Sequence, residues 1–144
     1  PYELITKALP TIEGEVNNIL AQLVDFQILF EMDGKNINNY IVYDDENIWP
    51  LELSSGMERF ISSLAIRVGL INVSNLPRSN FLAIDEGWGT MDSDNLNSVY
   101  SLFQYLKSQF QFALIVSHID SMRDAVDTLL EIKKEKSFSS VNFD

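Results

Sequence analysis

The chain contains no cysteine, which excludes disulfides, thiolate zinc sites and thiol catalysis and fits a reducing compartment. Basic residues are scarce: 10 Lys and Arg stand against 21 Asp and Glu, a formal net charge of −11 at pH 7. DNA-binding domains that act alone take much of their affinity from neutralising phosphates, so this chain by itself is a poor candidate for that role. Its two most positive stretches, Lys133-Lys134-Glu135-Lys136 and Arg59 to Arg67, are short and read as solvated faces. No apolar run reaches the roughly 18 residues that a membrane helix needs. The start, Pro1-Tyr2-Glu3-Leu4, lacks the basic residues and apolar core of a secretory signal. A soluble intracellular protein, cytoplasmic or nuclear, is the expectation. What is present is ordinary for one core-forming domain: 144 residues, 46% hydrophobic and 22% charged.

Apolar residues at Ile5, Leu9, Ile12, Val16, Ile19 and Leu23 step by 4, 3, 4, 3 and 4. This predicts a helix over 2–23 with a heptad seam, bent or restarted at Pro10. An amphipathic helix lying on its own domain has nearly the same pattern, since drift from the heptad repeat is only about 20° per heptad. Two strand-like runs, 26–30 and 39–43, flank the turn-prone Asp33-Gly34-Lys35-Asn36 and predict an antiparallel hairpin. After Pro50, Phe60, Ile61, Leu64, Ala65 and Val68 recur on one helical face. The runs Phe81-Leu82-Ala83-Ile84 and 112–116 read as strands buried on both faces. Between them, Leu96, Val99, Tyr100, Phe103 and Leu106 mark the inward face of a helix over 93–109. A short helix at 121–125 and a strand at 128–132 follow. The alternation predicts an α/β fold: a parallel sheet with helical crossovers, preceded by the hairpin.

Ligands in such sheets sit beyond the carboxyl ends of the strands. The first run ends in Asp85-Glu86, and adjacent carboxylates there suit a hydrated Mg²⁺; an acidic loop without function is the plain alternative. The second ends in Ser117-His118, which holds the chain's single histidine. His118 lies 32 residues after Glu86, a spacing that one helical crossover turns into neighbouring strand tips. Upstream, Leu53-Ser54-Ser55-Gly56-Met57-Glu58-Arg59 opens the helix that carries Phe60. Helix N-termini bind phosphate readily, although Ser55 and Glu58 would also form a purely structural capping box.

Taken in order, Ser-Ser-Gly-Met-Glu-Arg, Phe-Leu-Ala-Ile-Asp-Glu, Gly-Thr-Met-Asp and Val-Ser-His resemble the signature motif, Walker B, D-loop and switch histidine of ABC-type ATPases. The likeness is strongest to heads of the structural-maintenance-of-chromosomes (SMC) and double-strand-break-repair ATPases. In these, a long coiled coil separates two halves of the head. The resemblance implies that the chain is the C-terminal half of an ABC ATPase head, residues 25–144. Residues 1–24 would then end the returning coiled-coil helix. It further implies that Asp85 attends Mg²⁺, Glu86 is the general base, Asp92 communicates across a dimer and His118 meets the γ-phosphate of ATP. Ser55 and Gly56 would touch the nucleotide of a second head. Ser55 rather than Ser54 keeps the family register with Glu58-Arg59 and Leu64-Ala65-Ile66-Arg67. Two departures stand out: Met57 occupies the place of a second glycine, where a side chain limits the approach of backbone to phosphate, and Gly87-Trp88-Gly89 replaces the usual D-loop start.

No Gly-x-x-x-x-Gly-Lys-Ser/Thr is present, and the one Gly-Lys, Gly34-Lys35, is followed by Asn36. A phosphate loop would therefore come from an N-terminal Walker A lobe, in the same protein or on a separate chain. The resemblance implies ATP-dependent homodimerisation of heads, a role in DNA repair, recombination or chromosome organisation, DNA as a partner, a nuclease or kleisin-like subunit, and no membrane. A transporter nucleotide-binding domain and a non-catalytic dimerisation scaffold of the same fold remain as alternatives.

Overall fold

The computed structural model describes residues 2–75, 77–85, 96–118 and 120–143. Helix α1, Tyr2–Leu20, continues through Pro10, so of the bend or restart expected there the restart does not occur. It stops short of Leu23 because the chain tightens there: Gln22 N–H donates to Ile19 O at 3.1 Å and Leu23 N–H to Leu20 O at 2.9 Å. The heptad seam is used unevenly. Its Val16 and Ile19 are buried, as is the neighbouring Leu20, whereas Ile5 is 44% exposed and Leu4 beside it 73%, so the first turns carry an exposed apolar face.

Strands β1, Gln27–Asp33, and β2, Asn36–Val42, form the expected antiparallel hairpin. Its loop is Gly34-Lys35, with Gly34 at φ +58°, a left-handed conformation that tight hairpin turns need. A third strand, β3, Ile48–Pro50, pairs with β2 and was not foreseen; three residues with a terminal proline carry little strand signal. The free edge of β1 is closed by α1. Asn17 Nδ2 donates to Ile28 O at 2.9 Å, Ile28 N–H donates to Asn17 Oδ1 at 2.8 Å, and Phe30 N–H donates to Glu13 Oε2 at 2.7 Å. Side chains thus stand in for a neighbouring strand, blunting the edge and fixing α1 to the sheet.

Helix α2, Gly56–Val73, buries Met57, Ile61, Leu64, Ala65 and Val68 against α1 and the hairpin, in one core with α3, Leu96–Gln109. On α3 the buried face is Val99, Leu102, Phe103, Tyr105 and Leu106; Tyr100, expected inward, is 40% exposed. The predicted start of this helix at 93 lies outside the described residues, as does the side chain of Leu96.

Strands β4, Phe81–Asp85, and β5, Phe112–Val116, pair parallel and in register, Phe81 opposite Phe112 and Asp85 opposite Val116. They are not buried on both faces as expected. Alternation turns Leu82, Ile84, Ala113 and Ile115 towards the core and leaves Phe81, Phe112, Leu114 and Val116 on an open face, 37–57% exposed. The Phe81 and Phe112 rings stack on that face at 5.5 Å. A 3₁₀ turn, Asp120–Ala125, leads to β6, Leu130–Glu135, which does not extend the parallel sheet. It pairs antiparallel with β7, Phe138–Phe143, a strand that the sequence pattern does not announce. The charges of Glu131, Lys133 and Lys134 suit a solvated hairpin better than a buried third strand. Among the described residues, no helix is long and apolar enough to cross a membrane.

Two helical glycines give opposite expectations. A Cβ on Gly69 of α2 would come within 2.9 Å of Val16 Cγ2, on a stiff, fully buried residue of α1, whereas one on Gly14 meets nothing within 4 Å. Gly69→Val should lower stability by about 1–3 kcal/mol through overpacking. Gly14→Ala should raise it by about 0.5–1 kcal/mol. Urea-denaturation midpoints check both.

Candidate functional site

Two regions carry the residues singled out by the motifs. The first is the carboxyl end of the parallel pair. Because Asp85 faces Val116 across the ladder, Ser117 and His118 leave β5 at the same end at which Asp85 closes β4. Both Asp85 and His118 are exposed, and among the described residues neither side chain has a hydrogen-bond or ion-pair partner. By alternation Asp85 shares the open face with Phe81 and Ala83, so whatever covers that face also meets the carboxylate. Ser117 Oγ donates to Met122 Sδ at 3.3 Å, tying the β5 exit to the following 3₁₀ turn. Glu86 and Asp92 lie outside the described residues.

The second region is the start of α2. Ser54 and Ser55 have divergent roles. Ser54 is buried and its Oγ donates to Leu51 O at 2.7 Å, closing the preceding 3₁₀ turn, Leu51–Leu53. Ser55 is the exposed N-cap: its Oγ accepts from Glu58 N–H at 3.2 Å, and Glu58 Oε2 accepts from Ser55 N–H at 2.6 Å. The capping box is therefore formed, and it leaves the Ser55 hydroxyl hydrogen available to donate elsewhere. Met57 is 6% exposed and belongs to the core, although it also borders the cleft that Ser55 and Glu58 line.

A residue outside every motif joins this region. Tyr43 Oη donates to Glu58 Oε1 at 2.5 Å. Burial and then the bond to Glu58 push the phenol up to about 12. Burial opposes ionisation of Glu58, but the bonds from Tyr43 and Ser55 outweigh it and hold the carboxyl below its ordinary value. No local sequence signal could reveal this link, which spans 15 residues and depends on how the hairpin packs on α2.

This arrangement, a two-stranded parallel sheet with a crossover helix, an N-terminal hairpin and a leading helix, superposes on solved SMC heads. An SMC ATPase described by its ATP-driven dimerization and DNA-stimulated activation aligns with a TM-score of 0.78 and 15% identity, covering 99% of this chain and 89% of that one. The fold is that of an SMC-type ATPase head. The Pyrococcus furiosus Smc head with an extended coiled coil, bound to the C-terminal domain of ScpA, aligns at 0.71 and 17% identity over 98% of this chain and 36% of that one. In sequence, the chain is 37% identical over 157 residues to an uncharacterised protein of Acanthamoeba polyphaga mimivirus, covering 98% of this chain. It is 32% identical over 93 residues to the SbcC component of the Staphylococcus aureus nuclease SbcCD, covering 62% of this chain. It spans only 12% and 9% of the length of these two relatives. No family model matches. Together the comparisons show the α/β fold of solved SMC heads, the fold expected from the motifs.

The Tyr43–Glu58 pair gives the chain an alkaline response. A phenol raised from 10.0 to about 12 contributes stability that is complete below pH 10 and is lost as pH rises through about 12. Urea midpoints of the wild type should fall relative to Tyr43→Phe across that window. Parallel curves would show that the phenol ionises freely. Glu58 acts at the other end: its contribution is present above 4.5 and is lost as pH falls through its lowered folded value.

Proposed function

We propose that this chain is the C-terminal lobe of a split ATP-hydrolysing head, residues 25–144, with α1 as the last turns of a returning coiled coil. The observation that carries the reading is the in-register parallel pairing of β4 and β5, which gives Asp85 and His118 one common strand tip. The open apolar face of that pair supports a missing lobe. Parallel sheets are covered on both faces, and a Walker A lobe seated on Phe81, Phe112 and Leu114 would carry its phosphate loop towards Asp85. The exposed seam residue Ile5, with Leu4 beside it, supports continuation of α1 as coiled coil.

ATP held by that loop would present its terminal phosphoryl group to His118, whose imidazole contacts the γ-phosphate. The Asp85 carboxylate, exposed and without a partner among the described residues, fits one side of a hydrated Mg²⁺, which takes few protein ligands; when bound, the ion neutralises phosphate charge. Glu86 accepts the proton of the attacking water. Ser55 and Gly56, at the positive end of an 18-residue helix, meet the nucleotide of a second head, with Asp92 at the same interface. ATP thereby joins two heads and hydrolysis releases them. Relatedness to SbcC supports DNA break processing with a nuclease subunit, and the charge of −11 assigns DNA contact to surfaces beyond this lobe.

Joined to a Walker A lobe, Glu86→Gln should retain ATP binding, accumulate dimers and lose turnover by roughly 10²–10⁴-fold, the worth of a general base. Normal turnover in that variant removes Glu86 from the role. A joined protein that neither dimerises nor hydrolyses with ATP would instead be a scaffold. The lobe alone should show no magnesium-dependent ATPase activity.

A further inference from the structure

Tyr43 belongs to none of the nucleotide motifs, yet one carboxylate joins it to Ser55. Glu58 is held at both oxygens: Oε1 accepts from Tyr43 Oη at 2.5 Å and Oε2 from Ser55 N–H at 2.6 Å. Ser55 Oγ accepts in return from Glu58 N–H at 3.2 Å. The tyrosine ring has little freedom. It stacks on Trp49 with centroids 5.5 Å apart, meets Phe26 at 5.6 Å in a tilted contact, and its backbone N–H donates to Asn47 O at 3.0 Å. Phe26, Tyr43, Ser55 and Glu58 line one cleft of about 490 Å³ between the end of α1 and the start of α2.

A capping glutamate on an exposed helix end ordinarily samples several rotamers, and the serine it caps moves with it. Here the carboxylate is pinned from the hairpin side. With Oγ accepting from Glu58 N–H, the Ser55 hydroxyl hydrogen is left to donate to an arriving phosphate.

We infer that Tyr43 is a positioning residue for Ser55, fixing Glu58 so that the Ser55 hydroxyl is pre-oriented for a nucleotide phosphate on a facing head. The inference rests on the role proposed for Ser55. Tyr43 touches no phosphate. It lowers the ordering cost of the group that does, which is how preorganisation strengthens association.

The test uses the protein joined to its Walker A lobe in a Glu86→Gln background, with dimer fraction followed by sedimentation as ATP is titrated. Tyr43→Phe keeps the stacked ring and removes only the hydroxyl. It should raise the ATP concentration for half-dimerisation by roughly tenfold, in line with loss of a hydrogen bond to a charged group, while ATP affinity of the monomer is unchanged. Ser55→Ala should weaken dimerisation at least as much, and the double variant no further than Ser55→Ala alone, because the two act in series. Wild-type dimerisation by Tyr43→Phe beside a defective Ser55→Ala overturns the inference and leaves the Ser55 role standing. A fully additive double variant also overturns it. Normal dimerisation by Ser55→Ala removes the underlying role as well. A lowered urea midpoint with unchanged dimerisation would make the tyrosine merely structural, and that too contradicts the inference.

Discussion

Parallel, in-register pairing between β4 and β5 is the constraint on which the functional geometry depends. A strand ladder translates sequence offset into position: with Phe81 opposite Phe112, the residues that end each strand must emerge together. A slip of one residue would turn each side chain to the other face, taking Asp85 off the open face and the Phe81–Phe112 stack with it. The crossover helix α3 secures the register from beneath through Val99, Leu102, Phe103 and Leu106 in the common core. The same two strands are incomplete on their outer side, where four large apolar residues are exposed. The shared tip and the exposed apolar face are thus two aspects of one element.

The N-terminal half of the molecule is organised by substitutions of side chain for backbone. Asn17 and Glu13 satisfy amides on the edge of β1, so α1 is bonded to the hairpin as well as packed against α2. Leaving the Ile28 groups unpaired would cost about 1–3 kcal/mol, enough to make this a firm joint between α1 and the hairpin. Glu58 plays the corresponding part at the opening of α2, linked forward to Ser55 and back to Tyr43. The close approach at Gly69, where Val16 leaves no room for a side chain, sets the distance between the two helices. A force applied along α1 would therefore reach the hairpin and α2 through defined contacts.

Much of this was legible beforehand because it is written in local patterns. The hairpin turn at Gly34, the helix opening at Ser55 and the strand runs at 81–85 and 112–116 each have a short-range signal, and the motif order pointed to an ATPase head. What escaped had no such signal. Strand β3 is three residues long, and β7 alternates serine and asparagine with only Phe138, Val141 and Phe143. An apolar run such as Phe112 to Val116 reads as doubly buried whether its second cover comes from this chain or from another. Of the two outcomes expected at Pro10, a restart does not occur, because proline in a helix removes one hydrogen bond without ending the helix outright. The Tyr43–Glu58 link is a tertiary contact that emerges only from packing the hairpin against α2.

The central claim is that one strand tip, shared by Asp85 and His118, receives the terminal phosphoryl of a nucleotide gripped by another lobe. A crystal structure of the joined lobes with magnesium and a non-hydrolysable ATP analogue measures this directly. The expected result places the γ-phosphate within hydrogen-bond distance of the His118 imidazole, the cation beside the Asp85 carboxylate, and the opposing head's helix opening on the other side of the nucleotide. A nucleotide bound with its phosphates beyond the reach of both side chains would contradict the claim.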